Sequence, residues 1–529
     1  MKKAFVQADA STWTITTSIP YVNAQPHIGH ALEMVQADVL ARYHRLLGDH
    51  VRFQSGTDEN ALKNVQAAER EGVATQTLVE SNAARFQALQ QTLNLAWDDF
   101  IRTSAEVRHK MGVDKFWRAC AANGDIYKKR YQGLYCVGCE LFYNEGELVD
   151  GHCPIHERAP EVVEEENYFF RLSRYQSQLD ELIASDQLRI IPETRKNEML
   201  SFIRRGLDDF SISRDAGRSR GWGIPVPDDP SQVIYVWFDA LVNYITGPGY
   251  ATDSPSYRAF WRNADQRIHL IGKDITRFHA IYWPAMLLSA GVPLPDTLLV
   301  HGFITINGGK VSKSKGNVID PVDLVAQFGI DALRYYLLRK VPTTGDSNFT
   351  LPEFVYTHNA DLADQLGNLL NRVVKMIERY QAGIIPAPGP LTDLEDQLIT
   401  LAGNTQTVYH EALQEFAIHR ALTAVWEFIA ATNKYIVQVE PWVLAKQAKD
   451  GEEQTAAVRL ATSLYVMAES LRLIAHYLAP FLPDTATALA HQLGVKLETD
   501  AAQWQQALGW GKLRPGIQVQ PGGVLFVKQ

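Results

Sequence analysis

Four cysteines in 529 residues are too few for a disulfide framework. No uninterrupted apolar run approaches the roughly 18 residues that a membrane helix needs, which excludes a helical membrane protein. The first nine residues, Met1 to Asp9, lack the apolar core of a secretory signal, so a cytoplasmic location is expected. Positive charge is also scarce: the formal net charge is −9. That balance excludes nonspecific nucleic-acid binding, and any RNA would have to be held by local patches within a repulsive field. Lys128-Lys129-Arg130 and Arg204-Arg205 are such patches, and each reads equally as a solvated face. No internal repeat or low-complexity segment is present. What remains is a globular chain, 46% apolar and 21% charged, long enough for three or four domains.

Three of the four cysteines sit together. Cys136-Val137-Gly138-Cys139 is followed after thirteen residues by Cys153-Pro154-Ile155-His156. Two chelating pairs, each with a two-residue gap, predict a Zn2+ site whose four ligands Cys136, Cys139, Cys153 and His156 close the tetrahedron. With no position left for water, the metal would be structural and pin a knuckle. Reduced buried thiols or a redox pair are the alternatives. Cys120 reads as core.

Along the chain, strand and helix patterns alternate at first. Thr14 to Ile19, Val51 to Gly56, Val233 to Phe238, Arg267 to Gly272 and Thr297 to Val300 have the β-prone or apolar character of buried parallel strands, while His27 to Leu47 and a segment from Thr75 are helix-patterned. This predicts an α/β fold, a doubly wound parallel sheet with its ligand at the carboxyl ends of the strands. The expected division is a first catalytic half at 1–115, an insertion with the zinc knuckle at 116–232, a second half at 233–325, a linking region at 326–358 and an α-helical bundle at 359–529. The bundle is read from Leu362, Leu366, Leu369, Leu370, Val373 and Met376, a 3.6-period stripe. Longer helices are expected at Leu391 to Phe416, Ala421 to Val439 and Thr455 to Tyr477.

The densest signal is Pro26-His27-Ile28-Gly29-His30, between the first strand and the first helix. Two imidazoles three residues apart on an opening helical turn, with unpaired N–H groups and the positive dipole end, favour phosphate. Pro26 fits the first helical position. A turn capped by its own histidines would look the same. The second signal is Gly308-Gly309-Lys310-Val311-Ser312-Lys313-Ser314-Lys315-Gly316. Its glycines admit phosphate to the backbone, its lysines bring charge and its serines donate, as a triphosphate requires. Alone, it could be a solvated basic loop.

Together the two stretches resemble the paired signatures of class I aminoacyl-tRNA synthetases, with Val311 where that family usually has Met. The resemblance covers nearly the whole chain and narrows to the methionyl-tRNA synthetase family. It rests on Ser18 to Asn23, Trp222 to Pro227, Val236 to Ala240 through Tyr244, Ile271 to Ile275 through His279, and the zinc knuckle. Two positions depart from that family: Asn60-Ala61 replace a usual His-Gly, and Leu241 stands where Pro is frequent.

The resemblance implies a methionine side-chain pocket among Ile19, Tyr21, Trp237, Ala240, Tyr244 and His279, with Asp58 on the ammonium group. A polarizable thioether gains from aromatic edges, and a carboxylate forms a charge-assisted bond with ammonium. It further implies ATP contacts from His27, Gly29, His30, Asp274, Lys313 and Ser314. His27, His30, Lys310 and Lys313 would stabilise transition-state charge, and Mg2+ would bridge phosphates. Asn368, Arg372 and Trp442 resemble the family's anticodon readers, with tRNA(Met), including the initiator, as partner. An end at Gln529 leaves no room for an appended oligonucleotide-binding domain and leans towards a monomer. Two other classes compete. A synthetase for another aliphatic amino acid would need a large editing insertion, for which Lys115 to Ser231 is too short. A zinc-containing RNA-binding protein would leave the Lys310 to Ser314 loop and the two histidines unexplained.

Overall fold

The computed structural model describes residues 10–136, 141–143, 145–154, 157–310, 319–449 and 454–529, with side chains at 141, 142, 145, 309 and 310 excepted. Six parallel strands form the central sheet, in the spatial order Asp99–Arg102, His50–Thr57, Thr12–Thr17, Gln266–Gly272, Thr297–His301, Arg189–Ile191. The order runs outward in both directions from Thr12–Thr17 and Gln266–Gly272. The crevice at the carboxyl ends of these two strands is therefore the topological switch point, where such sheets bind ligands. The doubly wound α/β expectation is met.

The Thr12–Thr17 strand is rich in β-branched residues and buries four of its six positions. The Ile28–Leu47 helix follows, with fifteen of its twenty residues buried. It ends at Gly48, whose φ of 98° lies in the left-handed region that favours glycine at this position. The helix starts later than expected. His27 is the extended N-cap, and Pro26 precedes the cap instead of occupying the first turn.

Val233 to Phe238 is not a parallel strand. Asp229–Ile234 pairs antiparallel with Ser213–Asp215 and Pro225–Val226 in a small separate sheet, and Val236–Leu241 is a short helix. A brief apolar run buried on all sides satisfies either geometry, so periodicity could not separate them. The segment between the Asp99–Arg102 and Gln266–Gly272 strands builds a four-stranded antiparallel sheet from Leu141–Tyr143, Ile126–Cys136, Glu161–Phe170 and Phe210–Ser211. It also returns Arg189–Ile191 to the edge of the parallel sheet.

The two basic clusters are largely neutralised. Lys128 faces Asp229 at 3.0 Å and Glu166 at 3.6 Å, Arg130 faces Glu164 at 3.6 Å, and Arg204 faces Asp180 at 2.7 Å. Such exposed pairs contribute about 0–1 kcal/mol each. They read as solvated faces.

The last third is helical, with Asn368–Gln381, Asp393–Gln414, Ile418–Val439, Pro441–Lys449 and Gln454–Leu478 as its main elements. Gln454–Leu478 is the central post. It buries nineteen of twenty-five residues and packs against Asn368–Gln381, Ile418–Val439 and Pro441–Lys449. No helix among the described residues is long and apolar enough to cross a membrane.

Arg334, fully buried, ties the bundle to the α/β part of the chain. Its guanidinium donates to Asp38 on the Ile28–Leu47 helix at 2.7 Å and to the carbonyls of Leu93, Pro480 and Phe481 at 2.8–3.2 Å.

Candidate active site

The His27 turn is held by its own side chains. The Gly29 N–H donates to His27 Nδ1 and the His27 N–H donates to His30 Nδ1, both at 3.1 Å, a reciprocal cap made from two imidazoles. The rings stack at 3.8 Å, and His30 meets the edge of Phe86 at 5.0 Å. With both Nδ1 atoms accepting, each neutral ring must carry its proton on Nε2, so two N–H donors remain for a ligand. Loss of surrounding water lowers the His27 pKa to about 4 and holds His30 well below its ordinary value, so both are neutral near pH 7. Gly29 lies close under the His27 ring: a Cβ there would sit 3.0 Å from His27 Cε1, so the ring would have to give by a few tenths of an ångström. The alternatives of capped turn and anion site are therefore compatible, because the caps use Nδ1 and leave Nε2.

Val311 to Val318 lie outside the described residues, and with them Lys313 and Ser314; the Lys310 side chain is likewise not described. The backbone on either side is placed. Gly309–Lys310 pairs with Ile304–Ile306 as a short hairpin, and the Ile319 carbonyl accepts from the Ile28 N–H at 3.1 Å. The far end of the lysine segment thus joins the first turn of the histidine helix.

At the same crevice, Tyr21 and Asp58 form a parallel bridge at the ends of their strands, with the Asp58 carboxylate buried. Tyr21 meets Trp237 edge-on at 6.4 Å, and Trp237 stacks flat on Phe278 at 3.7 Å and edge-on to His279 at 6.4 Å. The Tyr244 hydroxyl lies 2.7 Å from His279 Nε2, while His279 Nδ1 lies 3.0 Å from the Ile275 carbonyl. A carbonyl only accepts, so Nδ1 holds the proton and Nε2 receives the Tyr244 hydroxyl. Burial lowers the His279 pKa to about 4 and pushes Tyr244 well above the usual phenol range. The result is a neutral cluster of aromatic rings, with the Asp58 and Glu33 carboxylates close enough to act on Tyr244. Ala240 is buried on the Trp237 helix, and Ile19 is half-buried two residues before Tyr21. Asp274 is exposed just past the Gln266–Gly272 strand.

Two residues at this crevice escaped the sequence reading. Phe278 supports the Trp237 ring. Glu33 accepts from Ser18 Oγ at 2.6 Å and His301 Nε2 at 2.9 Å. No local pattern marks these pairs, because each joins segments more than ten residues apart. Asn60, one of the departures from the resembled pattern, donates from Nδ2 to buried Asp239 at 3.3 Å.

Away from the crevice, Cys136 and Cys153 are buried in one small cluster with Tyr143. Cys139 and His156 lie outside the described residues, and among the described residues no three metal-ligating side chains converge. A cavity of about 630 Å³ separates the insertion's antiparallel sheet from the Arg277–Tyr282 segment; Lys129, Phe169 and Phe202 also line it. In the bundle, Asn368 is exposed at the start of its helix and Arg372 half-buried one turn on. Trp442 is 44% exposed on Pro441–Lys449. The two helices pack on the same central post.

A parallel sheet with imidazoles at its switch point, a lysine segment joined to them and a separate helical bundle defines the class I tRNA synthetases. The family described as tRNA synthetases class I (M) matches residues 13–159 and 143–374, and the anticodon binding domain of methionyl tRNA ligase matches residues 385–529. The chain belongs to the methionyl-tRNA synthetase family. It is 43% identical over 530 residues to the methionine–tRNA ligase of Bacillus subtilis, covering 98% of this chain and 78% of that one. To the corresponding ligase of Thermosynechococcus vestitus it is 44% identical, over 95% and 94% of the two chains. The solved methionyl-tRNA synthetase of Mycobacterium tuberculosis in complex with methionyl-adenylate superposes with a TM-score of 0.91 at 41% identity, covering 97% of this chain and 99% of that one.

Proposed function

We propose that the crevice at the sheet's switch point runs the methionine–tRNA ligase reaction of the family, with Tyr21, Asp58, Trp237, Tyr244 and His279 holding the amino acid. The carrying observation is the Tyr244–His279 pair beside the Trp237 ring. It offers a neutral, polarizable wall that suits a thioether and excludes a charged side chain. Ile19 and Ala240 complete the apolar wall, and Asp58 takes the ammonium group.

In the first step a carboxylate oxygen of methionine attacks the α-phosphorus of ATP. The bond from that phosphorus to the bridging oxygen breaks, and pyrophosphate leaves. No protein nucleophile is needed. His27 and His30 donate from Nε2 to phosphate oxygens as charge grows, Lys310 and Lys313 hold the pyrophosphate side, and Gly29 and Ser314 supply room and a further donor. Asp274 receives the ribose. In the second step a hydroxyl of the 3′-terminal adenosine of tRNA attacks the methionyl carbonyl, and AMP leaves. Mg2+ bound with ATP would screen phosphate charge.

On this reading residues 1–115 and 233–325 are the catalytic halves, 116–232 the insertion, 326–358 the link and 359–529 the anticodon domain, where Asn368, Arg372 and Trp442 read unpaired bases of tRNA(Met), initiator included. Cys136, Cys139, Cys153 and His156 hold a structural Zn2+; the burial of Cys136 and Cys153 in one cluster supports this. The enzyme works as a cytoplasmic monomer. Amino-acid-dependent ATP–pyrophosphate exchange across all twenty amino acids tests the assignment: methionine alone should drive rapid exchange, and equal exchange with leucine or valine would overturn it.

A further inference from the structure

Asn60 and Ala61, the two neighbouring departures from the family pattern, both reach the short Val236–Leu241 helix that carries Trp237. Asn60 Nδ2 lies 3.3 Å from Asp239 Oδ2, and a carboxylate only accepts, so the amide donates. Ala61 is buried in one cluster with Tyr235 and Val236, against which Tyr21 and Trp237 pack. Asp239 Oδ1 lies 3.8 Å from Nε2 of His109 on the Val107–Ala122 helix, and Nδ1 of that ring lies 2.8 Å from the Thr246 hydroxyl. All four side chains are buried. A polar chain thus runs through the interior from Asn60 to Asp239, His109 and Thr246. Three of its members stand two residues beyond a group assigned to the amino acid: Asn60 after Asp58, Asp239 after Trp237 and Thr246 after Tyr244.

The two ends of the Asn60–Asp239 bond are held very differently. On the Asn60 side, the Asp58 N–H donates to the Pro20 carbonyl at 2.9 Å, and the Glu59 N–H donates to the Thr103 hydroxyl at 2.9 Å. The Glu59 carbonyl accepts from Asn64 at 2.9 Å and from the Trp222 indole at 2.8 Å, while Arg102 pairs with the Glu59 carboxylate at 2.7 Å. That segment is a fixed point. The Val236–Leu241 helix has only six residues and no side-chain cap at its start, so tertiary contacts must place it. Trp237 supplies one such contact through its stack on Phe278 at 3.7 Å. Asp239 supplies another through Asn60.

We infer that the Asn60–Asp239 bond sets the separation between the Asp58 carboxylate and the Trp237 ring, and with it the affinity of the site for methionine. Asn60 and Asp239 are positioning residues: each acts through a neighbour two positions earlier in the chain. The ammonium group and the thioether are opposite ends of one small ligand, so an error in the spacing of their partners falls wholly on that ligand. ATP does not span the bond. The inference rests on the methionine-site reading above and fails separately from it, since a spacing that does not depend on Asn60 leaves methionine as the amino acid that drives exchange in the wild type.

The test is ATP–pyrophosphate exchange by the full-length chain, with KM measured separately for methionine and for ATP. Asn60→Asp keeps the size of the side chain and sets two carboxylates against one another. It should raise the methionine KM roughly 10- to 100-fold and leave the ATP KM within about twofold. Asp239→Asn alone should cost less than about fivefold, because the Asn60 amide can turn over and accept from the new donor. In the double variant, Asn60→Asp with Asp239→Asn, the bond re-forms in the reverse direction, and the methionine KM should return to within about fivefold of wild type. A methionine KM unmoved by Asn60→Asp, an equal rise in both KM values, or a double variant no better than Asn60→Asp would each overturn the proposal. Where Asn60→Asp fails to fold, Asn60→Ala removes the donor without adding charge. It should raise the methionine KM about tenfold with the ATP KM unmoved, and an unmoved methionine KM would again overturn the proposal.

Discussion

The Tyr244 hydroxyl donates to His279 Nε2 at 2.7 Å, and the other nitrogen of that ring donates to the Ile275 carbonyl at 3.0 Å. One backbone carbonyl thereby fixes the tautomer of a buried histidine and the direction of the tyrosine proton. The arrangement joins the Asn243–Thr246 turn to the Phe278–Tyr282 segment at the wall of the amino-acid pocket.

Removing the hydroxyl leaves a buried acceptor without its donor, a loss of about 1–3 kcal/mol. Tyr244→Phe should raise the methionine KM in ATP–pyrophosphate exchange roughly 5- to 150-fold and leave the ATP KM within about twofold. An equal rise in both KM values would show that the pair supports the whole fold and not the pocket.

Gly29→Ala should act on the phosphate side. The added Cβ would sit 3.0 Å from His27 Cε1, so the ring must shift by a few tenths of an ångström and its Nε2 moves with it. The expected outcome is about a tenfold fall in kcat, near 1.4 kcal/mol of transition-state stabilisation, with the methionine KM unchanged. Stopped-flow measurement of adenylate formation would check it.

Acid should destabilise the chain above the range where carboxylates titrate. His27, His279 and His410 have folded pKa values lowered to about 4, against 6.5 for an unconstrained ring. The unfolded chain binds these protons first, so stability present above pH 6.5 is lost as pH falls towards 4. The slope approaches 1.4 kcal/mol per pH unit for each fully buried ring, less for half-buried His27. Urea midpoints at pH 7.5, 6 and 5 would record the decline. A flat profile would mean these rings are accessible to water.

Trp442→Ala separates the bundle from the crevice. Base stacking on an aromatic ring contributes about 1–3 kcal/mol, so methionyl-tRNA formation should fall roughly 5- to 150-fold at limiting tRNA. ATP–pyrophosphate exchange without tRNA should stay at the wild-type level. Parallel loss of both activities would place Trp442 in the fold instead of the interface.

Local signals were legible wherever one segment carried the whole pattern. The His27 to His30 turn, the long helices of the bundle and the Gln266–Gly272 and Thr297–His301 strands follow from spacing, caps and periodicity, which act within a few residues. Val233 to Phe238 was misread because a short buried apolar run fits either a strand or a helix. Glu33 and His301 were not found at all, and Ser18 and Phe278 lay inside blocks that carry the resemblance but were given no role. Their roles arise from pairs separated by 15 to 268 positions in the chain, and no window along the sequence contains both partners.

By itself the sequence determined the chemistry available: two imidazoles at a strand-to-helix junction, a lysine and serine loop, paired cysteines and a helical last third. Those are properties of residue type and spacing. Only the tertiary structure decided the order of the parallel strands, hence the location of the crevice. It also decided the protonation state of each buried histidine. Proton position depends on what faces each nitrogen, and for His27, His30, His279 and His301 those partners are assigned by packing.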